Sequence, residues 1–278
     1  MPRILPNFLI VGAAKSGTSS LWHYLRAHPD VFVPSQKEIY FFDRDPVFKR
    51  GIDWYASLFA EAGSKKAVGE ATPSYIASPA APERMASIVP NARLVAILRN
   101  PIDRAYSHYL HAHYYDMERA SFAEAVARER RAPEGSEWPY YLLFSRYLSQ
   151  LERLAKHFPR EQILVLLLDD LERDPVQAFK TLCGHLGIDE SVIPPNVGEV
   201  TNAYRETRLK ALTGFVFRPR VWTRIPKKMR PTIARMLTRE GREHDPMDPK
   251  TRAELADYFA ADNAALADWL GRDLSMWR

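Results

Sequence analysis

Two short stretches carry residue types and spacings suited to holding an anion. The first is Gly12-Ala13-Ala14-Lys15-Ser16-Gly17-Thr18-Ser19, which lies between an apolar run and a helix-forming run. Small residues let backbone N–H groups turn inward toward an anion. The helix that follows offers unpaired N–H groups and the positive end of its dipole. Lys15 adds a mobile point charge, and Thr18 and Ser19 add hydroxyl donors. The alternative is an ordinary strand–helix turn; the lysine and hydroxyls together favour a cradle. The nucleotide-triphosphate loop places its lysine directly after its second glycine, but here Thr18 follows Gly17. That loop works with Mg²⁺ held by a carboxylate at the end of another strand. Asp169 or Asp170 in "LLLDDLERDP" is a candidate, although both also suit a helix start as cap or dipole partner, and that role is favoured.

The second stretch is "LVAILRNPIDRAYSHYL". Arg99 stands at the carboxyl end of an apolar run, Asn100 can cap, Pro101 suits the first helical position, and Asp103 falls in the first turn. Ser107 lies nearly two turns further on. A guanidinium and a hydroxyl can grip one phosphate together; alternatively Arg99 pairs with a carboxylate such as Glu70 or Asp103. A third element, "VPSQKEIYFFD", sets Lys37 and Glu38 before an aromatic run. If Phe41 and Phe42 are core, the charged pair lies at the sheet edge near the first loop. A carboxylate there would repel a phosphate, so its use would be to take a proton, which makes Glu38 a candidate general base. The alternative is a surface Lys–Glu pair. His111 and His113 are two residues apart and cannot share a helix face, which argues against a metal pair; structural roles are favoured for both, and packing for Cys183-Gly184-His185.

The elements that must position these residues alternate. Apolar runs at 8–11, 67–70, 94–98 and 163–168 lack period-two alternation, as expected of parallel strands buried on both faces. Helical patterns cover 18–27, 52–62, 82–88, 101–115, 122–130, 145–157, 176–186 and 250–270. This alternation predicts an α/β fold, a doubly wound parallel sheet flanked by helices. Ligands of such sheets sit outside the carboxyl ends of the strands, where the unusual residues fall. Residues 194–249 are proline-rich and basic and read as a flap or insertion over the site.

The 278 residues, 46% hydrophobic, suit one domain over 1–278. The net charge of +5 is uneven: residues 205–242 hold twelve Lys or Arg against Glu206 and Glu240, which leaves the rest acidic overall. That segment is either a solvated face or a surface for an anionic ligand. A single cysteine suits a reducing, cytoplasmic setting. No apolar run has membrane-spanning length, and the run at 8–14 is too short for a signal peptide core.

Together, "VGAAKSGTSSLWHYLRAHPDVFVPSQKEIYFFD" and "LRNPIDRAYSHYL" resemble the sulfotransferases that use 3′-phosphoadenosine 5′-phosphosulfate (PAPS), in their glycosaminoglycan-type and bacterial branch. "DWYASLF", "GEATPSYI", "FPREQILVLLLDDLERDPVQAFKTLCGHLGI" and "MDPKTRAELADYFAADNAALADWLGRDL" extend the likeness over nearly the whole chain. The resemblance implies the P-loop-like sulfotransferase fold and transfer of a sulfuryl group to a hydroxyl or amine of a carbohydrate or other small acceptor. The product would be adenosine 3′,5′-bisphosphate (PAP), with no metal and no nucleic-acid partner. It implies that Lys15, Ser16, Gly17, Thr18 and Ser19 bind the 5′-phosphosulfate, that Arg99 and Ser107 bind the 3′-phosphate, and that Glu38 is the base. Gly241 and Arg242 fall on a Gly-Arg step of a late basic loop that closes over the nucleotide. Two departures stand out. Ala71 replaces a lysine of animal 3-O-sulfating members, for which Lys37 is a candidate substitute, and the membrane anchor and stem of the Golgi enzymes are expected to be absent. The rival readings are a Mg²⁺-dependent nucleotide phosphotransferase and a non-catalytic polyanion binder.

Overall fold

The structure is a computed structural model that describes residues 3–132, 140–199 and 246–278, with short pieces between 201 and 245. Five parallel strands, β1 (Phe8–Gly12), β2 (Val31–Phe32), β3 (Ala67–Ala71), β4 (Arg93–Leu98) and β5 (Ile163–Leu167), form a sheet in the order β2-β3-β1-β4-β5. β1 lies at its centre, with Leu9 opposite Glu70 of β3 and Leu94 of β4. Every residue of β1 is buried because helices cover both faces. Leu9, Val11, Leu94, Ala96 and Leu98 pack on one side with Phe41, Phe42, Tyr55, Tyr75 and Tyr147. Phe8, Ile10, Val95 and Ile97 pack on the other with Leu21, Trp22, Leu25 and Phe179. The missing alternation in these strands has that cause, and each fully buried apolar side chain stabilises the fold by about 1.5–3 kcal/mol. The expected parallel α/β sheet is the observed one, with the two-residue β2 added at one edge.

Among the described residues the helices are α1 (Thr18–Arg26), α2 (Asp45–Phe48), α3 (Gly51–Ser57), α4 (Ala81–Ile88), α5 (Pro101–Tyr114), α6 (Phe122–Arg131), α7 (Tyr147–Ala155), α8 (Leu168–Arg173), α9 (Pro175–Leu186) and α10 (Pro249–Leu270). Two differ instructively from the expected spans. The helix expected over 52–62 stops at Ser57, whose hydroxyl donates to Trp54 O at 2.7 Å while Leu58 N turns to Tyr55 O at 3.1 Å. This side-chain competition tightens the last turn. The helix expected over 145–157 begins at Tyr147, because Ser145 is buried as a partner of Arg104 and Pro101. Arg205–Thr207 and Thr238–Glu240 pair as an antiparallel two-stranded ribbon, β6 and β7. Among the described residues no helix is long and apolar enough to cross a membrane.

At the carboxyl end of β1 the chain passes tightly beneath Ile76. A Cβ on Gly12 would lie 2.3 Å from Ile76 Cγ2 and 3.1 Å from Pro73 O. Gly12→Ala is therefore expected to destabilise the fold by about 1–3 kcal/mol, the usual cost of overpacking, read as a lower urea midpoint at unchanged m-value.

Candidate active site

The loop between β1 and α1 is shaped by a left-handed residue at its end. Gly17 has φ +99° and precedes the first turn of α1, accepting from Leu21 N at 3.2 Å. A side chain there would be strained and would meet Leu168 Cδ1 at 3.0 Å. No side chain caps α1, so its first N–H groups stay open toward the loop. Ser16 Oγ is buried with no hydrogen-bond partner of good geometry among the described residues, although it lies near enough to influence the Tyr147 phenol. A buried hydroxyl left in this way is costly unless a ligand satisfies it. Thr18 is buried and Ser19 half-buried at the same helix start.

Three cations converge on this loop. Arg99, directly after β4, points Nη1 at Lys15 O from 3.5 Å. Lys37 donates from Nζ to Ser19 Oγ at 3.2 Å. Lys15 itself is half-buried, and burial, helped by the charges of Arg99 and Arg104, pushes its pKa down to about 8 against a smaller upward pull from Glu38. Burial likewise lowers Lys37, opposed by Glu38 and Glu70. None of Lys15, Lys37 and Arg99 forms an ion pair with a carboxylate of the described residues. The two acids once available to Arg99 are engaged elsewhere. Glu70 accepts three hydroxyls, and Asp103 pairs with Arg252. Together the orphaned hydroxyl and the unpaired cations suit a bound polyanion such as a phosphosulfate.

Glu38 is half-buried, and its charge is felt by Lys15, Lys37 and Tyr40. Burial raises the Tyr40 phenol and the Glu38 carboxylate raises it further. The Arg44 guanidinium lies over the Tyr40 ring, 3.4 Å from its centroid. Phe41 and Phe42 are fully buried, as expected, and Phe41 stacks on Tyr55 at 4.2 Å. Lys37 and Glu38 are thus drawn toward the loop instead of forming an isolated surface pair.

Helix α5 supplies another wall. Asn100 caps it through Oδ1, accepting from Ile102 N at 2.9 Å, with Pro101 at its start and Asp103 in its first turn. Ser107 is half-buried on α5, three residues after Arg104 and four before His111, so these side chains share a face. Arg104 and His111 both lie near enough to exchange electrostatic influence with Lys15. His111 is exposed on α5, and partial enclosure of its ring, aided by the charge of Lys15, lowers its pKa. His113 lies off this face, with Nδ1 3.0 Å from Glu118 O. Sequence reasoning passed over Arg104. It is fully buried, donates from Nε to Ser145 Oγ at 2.6 Å and also to Tyr141 O; its only trace in the sequence is an arginine on the apolar face of "PIDRAYSHYL".

Asp169 and Asp170 do lie in the first turn of α8, but neither side chain caps it. Asp169 Oδ2 accepts from Trp277 Nε1 at 3.1 Å, and Asp170 pairs with Arg173 and Arg272. Among the described residues no group of three or more His, Cys, Asp or Glu is placed to hold a metal ion. Cys183 is buried packing on α9. Ala71 is buried at the end of β3. Gly241, Arg242 and most of the basic 205–242 segment lie outside the described residues. Because Lys15 titrates near pH 8, its acylation rate in competitive labelling should reach half its maximum near that pH, whereas an exposed lysine does so near its ordinary value of about 10.4. A midpoint near 10 would contradict the burial and like-charge argument.

The chain matches the family model described as "Sulfotransferase domain" over residues 5–266. It is 32% identical over 295 residues to human bifunctional heparan sulfate N-deacetylase/N-sulfotransferase 3, covering 98% of this chain and 31% of that protein. It thus spans about a third of the length of that relative. Among solved structures, a sulfotransferase from Alicyclobacillus acidocaldarius is 32% identical with a TM-score of 0.76, covering 99% of each chain. A mouse sulfotransferase complexed with PAP shares the fold at 15% identity and a TM-score of 0.55, over 96% of this chain and 87% of that one. The glycine-containing loop at the end of a central parallel strand, three cations without an ion-pair partner among the described residues and a nearby carboxylate accordingly belong to a chain of the sulfotransferase family.

Proposed function

We propose that this chain moves a sulfuryl group from PAPS to a hydroxyl or amine of a carbohydrate or other small acceptor, with Glu38 as general base and Lys15 as the principal electrostatic catalyst. The observation that carries the reading is the set of three cations around the loop, unpaired among the described residues, with Glu38 beside them. When bound, the donor supplies a sulfuryl group on a phosphate leaving group. Lys15, Ser16, Gly17, Thr18 and Ser19 hold its 5′ end. Ser16 Oγ gains the partner it lacks, and the open N–H groups of α1 face the phosphate. Arg99 and Ser107 grip the 3′-phosphate.

The sulfur–oxygen bond to the donor phosphate breaks as the acceptor oxygen or nitrogen bonds to sulfur in line. Charge builds on the departing oxygen, where Lys15 and the start of α1 stabilise it. Glu38 takes the acceptor proton. Lys37, anchored on Ser19, stands where it can assist the sulfuryl oxygens, in place of the lysine missing at Ala71. A sulfuryl group carries less charge than a terminal phosphoryl, so the reaction proceeds without a metal. The Tyr40 ring with Arg44 above it offers a flat, cationic surface next to Glu38, suited to an acidic saccharide. The relationship to a heparan sulfate N-sulfotransferase supports the same acceptor class.

Incubation with labelled PAPS and a panel of glycans, lipids, phenols and amines, followed by product mass, tests the reading; a saccharide product is expected. With that acceptor and saturating donor, Glu38→Gln should lower kcat by about 10²–10⁴, and full turnover would remove Glu38 as the base. Arg99→Ala should weaken PAP binding by about 1.5–3 kcal/mol, the worth of a hydrogen bond to a charged group, with a smaller effect on kcat. PAP should bind equally well in EDTA; tight binding only with Mg²⁺ would favour a phosphotransferase instead.

A further inference from the structure

Glu70 is 1% exposed at the end of β3, surrounded by core, and touches neither the loop nor an ion-pair partner among the described residues. Burying a carboxylate costs several kcal/mol unless hydrogen bonds compensate. Three hydroxyls do so. Tyr55 Oη and Tyr75 Oη donate to Oε1 at 3.0 and 2.7 Å, and Thr72 Oγ1 donates to Oε2 at 2.6 Å.

Each hydroxyl has one proton to give. Thr72 and Tyr75 have given theirs to Glu70, so their lone pairs face elsewhere. Thr72 Oγ1 accepts from Ile39 N at 3.2 Å and Tyr40 N at 3.4 Å, and Tyr75 Oη accepts from Phe41 N at 3.0 Å. These three consecutive amides immediately follow Glu38. A carboxylate at position 70 accepts from every neighbour and donates to none, so it fixes the direction of both hydroxyls at once. We infer that Glu70 is a positioning residue for sulfuryl transfer: through Thr72 and Tyr75 it holds the main chain of residues 39–41, and so keeps Glu38 aimed at the anion loop. The inference rests on Glu38 being the base.

Other groups face Glu70. Tyr55 comes from α3, Thr72 and Tyr75 follow β3, Asp43 repels it from the segment after Phe42, and Lys37 feels its charge. Asp43 is itself half-buried and bonded to Ser74. Burial, only partly offset by the hydroxyls, lifts Glu70 to about 7. Protonation would turn one of its oxygens into a donor, and one hydroxyl would then have to reverse. A glutamine does the same permanently, because its amide nitrogen donates.

The experiment compares Glu70→Gln, Thr72→Val, Thr72→Ser and Tyr75→Phe with the unaltered protein in its PAP complex. Amide exchange is read at residues 39–41, PAP affinity by calorimetry, and kcat with the acceptor from the panel that turns over fastest. Thr72→Val and Glu70→Gln should speed exchange at Ile39 and Tyr40 and lower kcat, each by about tenfold or more, the worth of one hydrogen bond. PAP affinity should stay within about twofold, and Thr72→Ser, which keeps the hydroxyl, should restore both properties. Tyr75→Phe should loosen Phe41 alone, and it serves if the valine variant fails to fold. Unchanged exchange in these variants, kcat loss matched by equal loss of PAP affinity, or failure of serine to rescue would overturn the inference. Full turnover of Glu38→Gln would instead strike at the base, whatever the amides do.

Discussion

Like charges held close together in a half-buried place are the constraint around which this structure is arranged. Two unit charges 4 Å apart interact by about 4 kcal/mol at the effective permittivity of a protein surface, and left to itself Lys15 would move away from Arg99 and Arg104, whose charges oppose its own. The cations around the loop are tied to the fold instead. Lys15 sits in a loop whose ends belong to the central strand and a packed helix, Arg99 follows directly from β4 with its carbonyl taken by Tyr147 Oη at 2.9 Å, and Lys37 reaches Ser19. The apolar core on both faces of the sheet supplies the rigidity.

The nearby acids complete the arrangement by being occupied. Asp103 answers Arg252, Asp169 answers Trp277, Asp170 answers two arginines, and Asp43 bonds to Ser74. Glu70 faces hydroxyls in the core. Glu38 forms no ion pair among the described residues, and its charge acts on Lys15 and Lys37. Local pairing therefore keeps the occupied acids from neutralising Lys15, Lys37 and Arg99.

Much of this was legible beforehand. Apolar runs without alternation gave four of the five strands, and the Asn100-Pro101 start of α5 was readable because capping chemistry is local. β2 was not, since two residues carry no period. The helix start at Tyr147 depends on where the Ser145 hydroxyl points, which a tertiary neighbour, Arg104, decides. Of the site, Lys15, Arg99 and Glu38 stood out by type and position. The buried Arg104 and the links from Glu70 to residues 39–41 did not, because they join segments about thirty to forty residues apart. Residue type alone made Glu70 look like a partner for Arg99.

The depressed pKa of Lys15 has a consequence for the proton balance of the site. Near pH 8 about half the molecules carry this side chain neutral. An anion seated against it favours the charged form and raises the pKa again. An anion seated on this loop would thus take up a proton on arrival near pH 8 and release it on departure.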